Sequence, residues 1–126
     1  MSKVAILAGE PSGDMIASQL MSELNKRYKN IEYIGVGGPL MSKYGLKSYF
    51  DYSHLGVRGY FEVIKKLPKL LKFRHSLVNY LLQQKPDIFI GIDAPDFNFA
   101  IEKKLKANQI PTFHYVAPSV WAWRKN

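Results

Sequence analysis

The chain has 126 residues, of which 47% are hydrophobic, and a formal net charge of +8. Its length predicts one domain, and the absence of cysteine excludes disulfide bonds, a thiolate zinc site and a cysteine nucleophile. The positive charge favours an anionic partner, which would be a nucleic acid, a phosphorylated small molecule or a membrane surface. Since the sequence shows neither a secretory signal nor a membrane-spanning segment, a cytosolic location is expected.

Short apolar runs alternate with amphipathic stretches, which predicts an α/β fold with a parallel sheet and flanking helices. The predicted strands are residues 3–8, 32–36, 46–50, 87–92 and 111–116. The predicted helices are residues 14–28, 39–44, 61–84 (divided or kinked at Pro68) and 96–107. Ligands of such sheets bind outside the carboxyl ends of the strands, so the functional residues are expected there.

The first motif, AGEPSGD at residues 8–14, lies between the first strand and the first helix. Its glycines permit close approach of a ligand to the backbone, and Glu10 and Ser12 offer polar oxygens. The helix N-terminus attracts an anion. A tight turn in which Asp14 caps the first helix explains the same residues equally well. The spacing matches neither a dinucleotide-binding loop nor a Walker loop.

Two further motifs follow strand ends. GVGGP at residues 35–39 is interpreted as a loop with a proline in the first helical turn rather than as a ligand loop. GIDAPDFN at residues 91–98 places Asp93 where a strand stops, which favours a general base over a turn residue. Asp96 is interpreted as a helix cap.

The fourth motif, HYVAPSVWAWR at residues 114–124, groups aromatic rings with an arginine past a strand end. In an extended loop Trp121 and Trp123 face the same side, which suits a sugar ring, core packing or an interface. His114 is interpreted as a hydrogen-bonded structural histidine rather than a catalyst.

A basic amphipathic stretch covers residues 57–75, where six basic side chains accompany one acidic side chain, Glu62. Helices that lie on a membrane surface have this composition. The pattern alone slightly favours the alternative, a solvated helix face over a core stripe.

The four motifs in this order resemble the lipid-A-disaccharide synthases, a family of bacterial membrane-associated glycosyltransferases, along essentially the whole chain. The resemblance implies a partial, Rossmann-like N-terminal domain of a two-domain GT-B glycosyltransferase, with no metal or other cofactor. It implies transfer of 2,3-diacylglucosamine from UDP-2,3-diacylglucosamine to lipid X, which is 2,3-diacylglucosamine 1-phosphate. The implied reaction proceeds with inversion, forms the β-1,6 disaccharide and releases UDP.

Roles for individual residues follow from that resemblance. Asp93 is the candidate general base. The implied substrate contacts are Glu10, Ser12, Gly13, Gly38, Asp96, Asn98, Ser119 and Trp121. The implied membrane and acyl-chain contacts are Arg58, Tyr60, Phe61, Ile64, Lys65, Lys69 and Lys72. The implied location is the cytoplasm, peripheral to the anionic inner face of the cytoplasmic membrane.

Two departures from the family pattern qualify the resemblance. Val57-Arg58-Gly59 stands where relatives usually have Val-Met-Gly, which affects the local acyl-chain contacts. The chain also ends inside what would be a longer acceptor-side domain, without a UDP-binding domain, so it is expected to be inactive alone. A sheet cut in this way is expected to expose an edge strand, which favours a homo-oligomer.

Two alternatives remain at this level. A non-enzymatic basic module would bind a membrane or nucleic acid through residues 57–74, although the resemblance implies no nucleic-acid partner. A small stand-alone nucleotide-binding domain of flavodoxin-like topology is weakened by the missing glycine fingerprint.

Overall fold

The computed structural model describes residues 2–9, 11–49, 70–92 and 95–115, with the side chains of 70–73 and 95–97 left out. Within these ranges five parallel strands form one sheet in the order β3-β2-β1-β4-β5. The strands are β1 (Ser2–Ala8), β2 (Ile31–Val36), β3 (Leu46–Ser48), β4 (Ile88–Ile92) and β5 (Thr112–Tyr115). The helices are α1 (Pro11–Arg27), α2 (Pro39–Lys43), α3 (Leu70–Gln84) and α4 (Pro95–Ala107). The predicted α/β class with a parallel sheet and flanking helices is confirmed.

The sheet is covered on both faces, which explains why its central strands are apolar without alternation. On one face Val4, Ile6 and Ala8 of β1 belong to a core cluster with α1 and α2. On the other face Ala5 and Leu7 belong to a cluster with α3 and α4. The last five residues of β1 are therefore all buried.

Three described helices begin at a proline, and each begins three positions after the last residue of the preceding strand. The pairs are Ala8 and Pro11, Val36 and Pro39, and Ile92 and Pro95. Proline suits the first helical position because its missing N–H would have no intrahelical partner there. The connections β1–α1, β2–α2 and β4–α4 are thus two residues long.

Most predicted boundaries lie within two residues of those observed, but the start of the first helix is wrong. Residues 9–13 were predicted as a turn, whereas α1 begins at Pro11 and includes Ser12 and Gly13. The glycine and proline of this segment indicated a turn, but the proline occupies the first helical position. The third strand was predicted to run to Phe50 but ends at Ser48. The predicted helix over residues 61–69, the division at Pro68 and the C-terminal loop lie outside the described residues.

Candidate active site at the carboxyl ends of the strands

The strand order changes direction between β1 and β4. The chain runs outward from β1 through β2 to β3, and then returns to place β4 on the other side of β1. Ala8 pairs with Ile92, and these are the last residues of their strands. Open α/β sheets bind ligands in the crevice at such a switch point. The first and third motifs therefore leave the sheet side by side.

The start of α1 packs directly over this switch point. A methyl group built on Gly13 would lie 3.3 Å from the Cβ of Ala8 and 3.5 Å from Cγ2 of Ile92. Ser12, one residue earlier, is exposed. Because α1 and α4 both begin close to these strand ends, the positive ends of two helix dipoles lie at the same edge of the sheet. An anion or an electron-rich oxygen is stabilised in such a place.

The carboxylate of Asp14 holds the start of α2, and we call this contact the Asp14 clamp. Oδ1 accepts hydrogen bonds from the backbone N–H groups of Gly38 and Met41 at 3.0 Å, and Oδ2 accepts one from Leu40 at 3.1 Å. Asp14 is 2% exposed and is the fourth residue of α1. The predicted cap of α1 is wrong, because the carboxylate caps a different helix.

Gly38 lies against the Asp14 clamp. A Cβ on Gly38 would collide with the Asp14 carboxylate, and the residue is buried. The backbone of Gly38 is extended, with φ −98° and ψ −166°, so the requirement for glycine there is steric rather than conformational. The interpretation of GVGGP as a structural loop leading into a proline-started helix is therefore supported by the packing.

A second carboxylate, which is partly buried, lies on the opposite face of the sheet. Oε2 of Glu102 in α4 lies 2.8 Å from Nδ1 of His114 in β5, and each side chain is 12% exposed. We call this contact the Glu102–His114 pair. The ring of Phe99 packs on the imidazole, with 4.7 Å between ring centroids. The prediction that His114 is hydrogen-bonded is confirmed.

The Glu102–His114 pair lies directly on β4. Gly91 is the register partner of His114. A Cβ on Gly91 would lie 2.7 Å from Oε2 of Glu102 and 3.0 Å from Cγ of Asn98. Asn98 is fully buried, and its Nδ2 donates a long, 3.4 Å hydrogen bond to the carbonyl of Ile92. A polar cluster therefore packs under the strand end that precedes Asp93.

The described residues include four of the predicted substrate contacts. Ser12 and Gly13 lie at the switch point, Gly38 lies against Asp14, and Asn98 lies in the cluster under β4. Of these, only Ser12 is exposed. The side chains of the remaining predicted site residues lie outside the described part of the chain; they are Asp93, Glu10, Asp96, Ser119, Trp121, Arg58, Tyr60, Phe61, Ile64, Lys65, Lys69 and Lys72.

Glu102 is the residue that sequence reasoning missed. It is an acidic residue in a helix whose later charges, Lys103, Lys104 and Lys106, are all basic. It also stands four residues after Asn98, so the two side chains share one face of α4. Those two signals mark Glu102 as unusual, but its partner in β5 is twelve residues away and is not identifiable from spacing.

A cavity of about 250 Å³ lies between α3 and α4, lined by Arg74, His75, Val78, Ala100 and Lys104. Two cationic side chains and an imidazole therefore line one recess on this face of the sheet. In the part of the chain that the structure describes, no helix is both long and apolar enough to cross a bilayer.

The sequence matches one protein family along nearly its whole length. The profile of the lipid-A-disaccharide synthetase family matches residues 4–126. Similar curated proteins are lipid-A-disaccharide synthases from Idiomarina loihiensis, 55% identical over 123 residues, and Chromobacterium violaceum, 54% identical over 122 residues. A third, from Haemophilus influenzae, is 50% identical over 123 residues.

These alignments cover 97–98% of this chain but only 32% of each relative. The chain therefore spans about a third of the length of the curated relatives that it matches.

Proposed function

The chain belongs to the lipid-A-disaccharide synthetase family, and we propose that it forms the acceptor-side domain of a GT-B glycosyltransferase of lipid A biosynthesis. The complete enzyme would transfer 2,3-diacylglucosamine from its UDP donor to 2,3-diacylglucosamine 1-phosphate. The proposal combines the family match with one structural observation, the paired strand ends Ala8 and Ile92 at the switch point. A substrate-binding crevice is expected there in an open parallel sheet.

Asp93 is proposed as the general base. It directly follows Ile92, the last residue of β4. The acceptor 6-hydroxyl attacks the anomeric carbon of the donor sugar, the bond to UDP breaks, and UDP leaves with the electron pair. A carboxylate that takes the hydroxyl proton makes that oxygen a stronger nucleophile. Glu10, which follows β1, is proposed to line the same crevice.

The test uses an assembled enzyme, in which the chain is joined to the remaining two thirds of the Idiomarina loihiensis synthase. Transfer is measured with the UDP donor and the phosphorylated acceptor, beside the 126-residue chain alone. The assembled enzyme is expected to transfer, and the chain alone is not. No transfer by a folded assembled enzyme, while the parent synthase is active in the same assay, would contradict the proposed function.

The role of Asp93 is tested by Asp93→Asn in the assembled enzyme. General-base catalysis contributes at least about 100-fold, so kcat is expected to fall by that factor or more. Asp87→Asn is the matched control. Asp87 precedes the same strand at its opposite end, is exposed, and bonds the N–H of Lys3. Near-normal turnover by Asp93→Asn would remove Asp93 from this role.

A membrane-facing role is proposed for the basic stretch 57–74, which continues into α3. The recess lined by Arg74 and Lys104 gives this face cationic groups that suit lipid phosphates. Co-sedimentation with anionic vesicles is expected, and with neutral vesicles it is not. An RNA gel shift over a salt series tests the nucleic-acid alternative, because that affinity falls steeply with salt.

A further inference from the structure

The Glu102–His114 pair is a contact between two elements that flank the end of β4. The 2.8 Å contact joins α4 to β5, and both side chains are largely shielded from water. Replacing a buried ionisable pair by apolar groups of similar size is often neutral or stabilising. A contribution to the stability of the fold therefore explains only weakly why this pair is present here.

The Glu102 carboxylate lies where it limits the position of the β4 backbone. Since a Cβ on Gly91 would lie 2.7 Å from Oε2, any residue larger than glycine at this position would require the carboxylate to shift. Asn98 adds a second contact, since its amide bonds the carbonyl of Ile92. Asp93 is the next residue in the sequence. A shift of the carboxylate would therefore shift the strand end from which Asp93 emerges.

The imidazole of His114 is oriented by Glu102 and Phe99. Because Nδ1 faces a carboxylate, it carries a proton. The buried Nε2 has no hydrogen-bond partner among the described residues. Among the described residues, only the Glu102 carboxylate and the Phe99 ring are seen to orient the His114 imidazole. Glu102 and His114 therefore act as one unit.

We infer that Glu102 and His114 are positioning residues, which hold the end of β4 so that Asp93 is directed at the acceptor hydroxyl. The inference rests on the proposed function above. Neither residue touches substrate in this role. Their effect passes from Glu102 through Gly91 and Asn98 to the residue before Asp93.

The first experiment compares kcat with KM in the assembled enzyme. Misplacement of a catalytic group by about 1 Å reduces turnover up to about 100-fold. Glu102→Gln and His114→Gln are therefore expected to lower kcat between about 10-fold and 100-fold. The acceptor KM is expected to remain within about two-fold, because substrate binding is not what these residues provide.

His114→Asn is the conservative variant, because its amide nitrogen lies close to the place of Nδ1 and keeps a donor for Glu102. It is expected to retain kcat within about five-fold of the wild type, since positioning depends on that single contact. Lys103→Gln, an exposed neighbour of Glu102 in α4, is the control for altered helix charge. If the pair were merely structural, the substitutions would lower the folded fraction of each variant without lowering kcat per folded molecule.

The second experiment needs no activity and uses the 126-residue chain. Amide hydrogen exchange is measured by NMR, and Glu102→Gln is expected to accelerate exchange over residues 92–98 more than over β1 and β2. Uniform acceleration, or none, would overturn the inference. Wild-type kcat in both glutamine variants would also overturn it while leaving the proposed function intact. Loss of the proposed function is recognised separately, by absence of transfer in the unmutated assembled enzyme.

Discussion

Asp14 is buried on one face of the sheet and Glu102 is partly buried on the other, and the partners of these two carboxylates differ in kind. Asp14 accepts hydrogen bonds from three backbone N–H groups, which never lose their protons in the working range of the protein. Glu102 instead contacts another side chain, the imidazole of His114. The first arrangement fixes the start of a helix through backbone groups, whereas the second joins two side chains and packs against the strand end that precedes the proposed base.

The largest effect on stability is expected from Asp14→Ala. The change leaves the N–H groups of Gly38, Leu40 and Met41 without their acceptor, and two of these bonds are fully buried. The free energy of unfolding is expected to fall by about 3 kcal/mol. Urea unfolding measures this, with Glu23→Gln as the exposed control on α1. A loss below that of the control would show that water replaces the carboxylate and that the clamp is not a fixed contact.

The next effect is expected from Gly38→Ala. Its methyl group would meet the Asp14 carboxylate, while the extended backbone at residue 38 accepts alanine without strain. Overpacking of this kind costs about 2 kcal/mol. The double variant Asp14→Ala with Gly38→Ala should lose less than the sum of the two single losses, because the clash requires the carboxylate. Additive losses in urea unfolding would show that Gly38 and Asp14 affect stability independently.

A smaller effect on stability is expected from Glu102→Gln. The amide is similar in size but uncharged, so it holds the imidazole less firmly, and the charge-assisted part of the hydrogen bond is lost, about 1.5 kcal/mol. The loss of unfolding free energy in Glu102→Gln should be about half of that in Asp14→Ala, although Glu102→Gln should reduce transfer more. Thermal unfolding and transfer assays on the same samples test the difference. Equal stability losses at the two carboxylates would remove the contrast between a carboxylate bound to backbone groups and one bound to a side chain.

The smallest expected effect on stability concerns the Tyr33 hydroxyl, on the face of the sheet that α1 and α2 cover. Burial raises the pKa of the Tyr33 hydroxyl above its ordinary value of 10.0, and this hydroxyl lies 2.9 Å from Oδ1 of Asn25. Above about pH 10 the unfolded chain loses this proton while the folded chain keeps it, so stability falls as the pH rises.

The Tyr33 contribution is isolated with Tyr33→Phe, which cannot titrate. The stability advantage of tyrosine over phenylalanine should be constant below pH 10 and should narrow by at most about 1 kcal/mol over the next pH unit. Urea unfolding at several alkaline pH values measures the difference. A constant advantage through pH 11 would show that Tyr33 ionises as readily in the folded protein as in the unfolded chain.

The sequence predicted the sheet well because its strands carry a local signal. The apolar run around Ile6 and Leu7 has no polar interruption, and a strand buried on both faces needs none. The start of α1 was predicted wrongly because proline and glycine also mark turns. Local composition did not show whether Pro11 and Gly13 belong to a turn or to the start of a helix.

The candidate site was predictable only in part, because its contacts join residues far apart in the chain. Asp14 lies 24–27 residues from the N–H groups that it binds. Its burial and its partners depend on how α2 packs on α1. The strand-end location of the motifs, by contrast, follows from the alternation of strands and helices and needed no long-range information. Asp93 remains a prediction at that location.

The two-residue connections that end in a proline have a consequence for how this protein can vary. A residue before proline is disfavoured in helical conformation, so none of these three helices can extend backward to absorb a longer or shorter loop. Gly9 can be exchanged while the backbone path stays the same, because a Cβ built there meets no atom within 4 Å. An inserted or deleted residue would instead displace an entire helix. Diversification at this edge is therefore expected through substitution, and libraries that alter specificity should keep the loop lengths fixed.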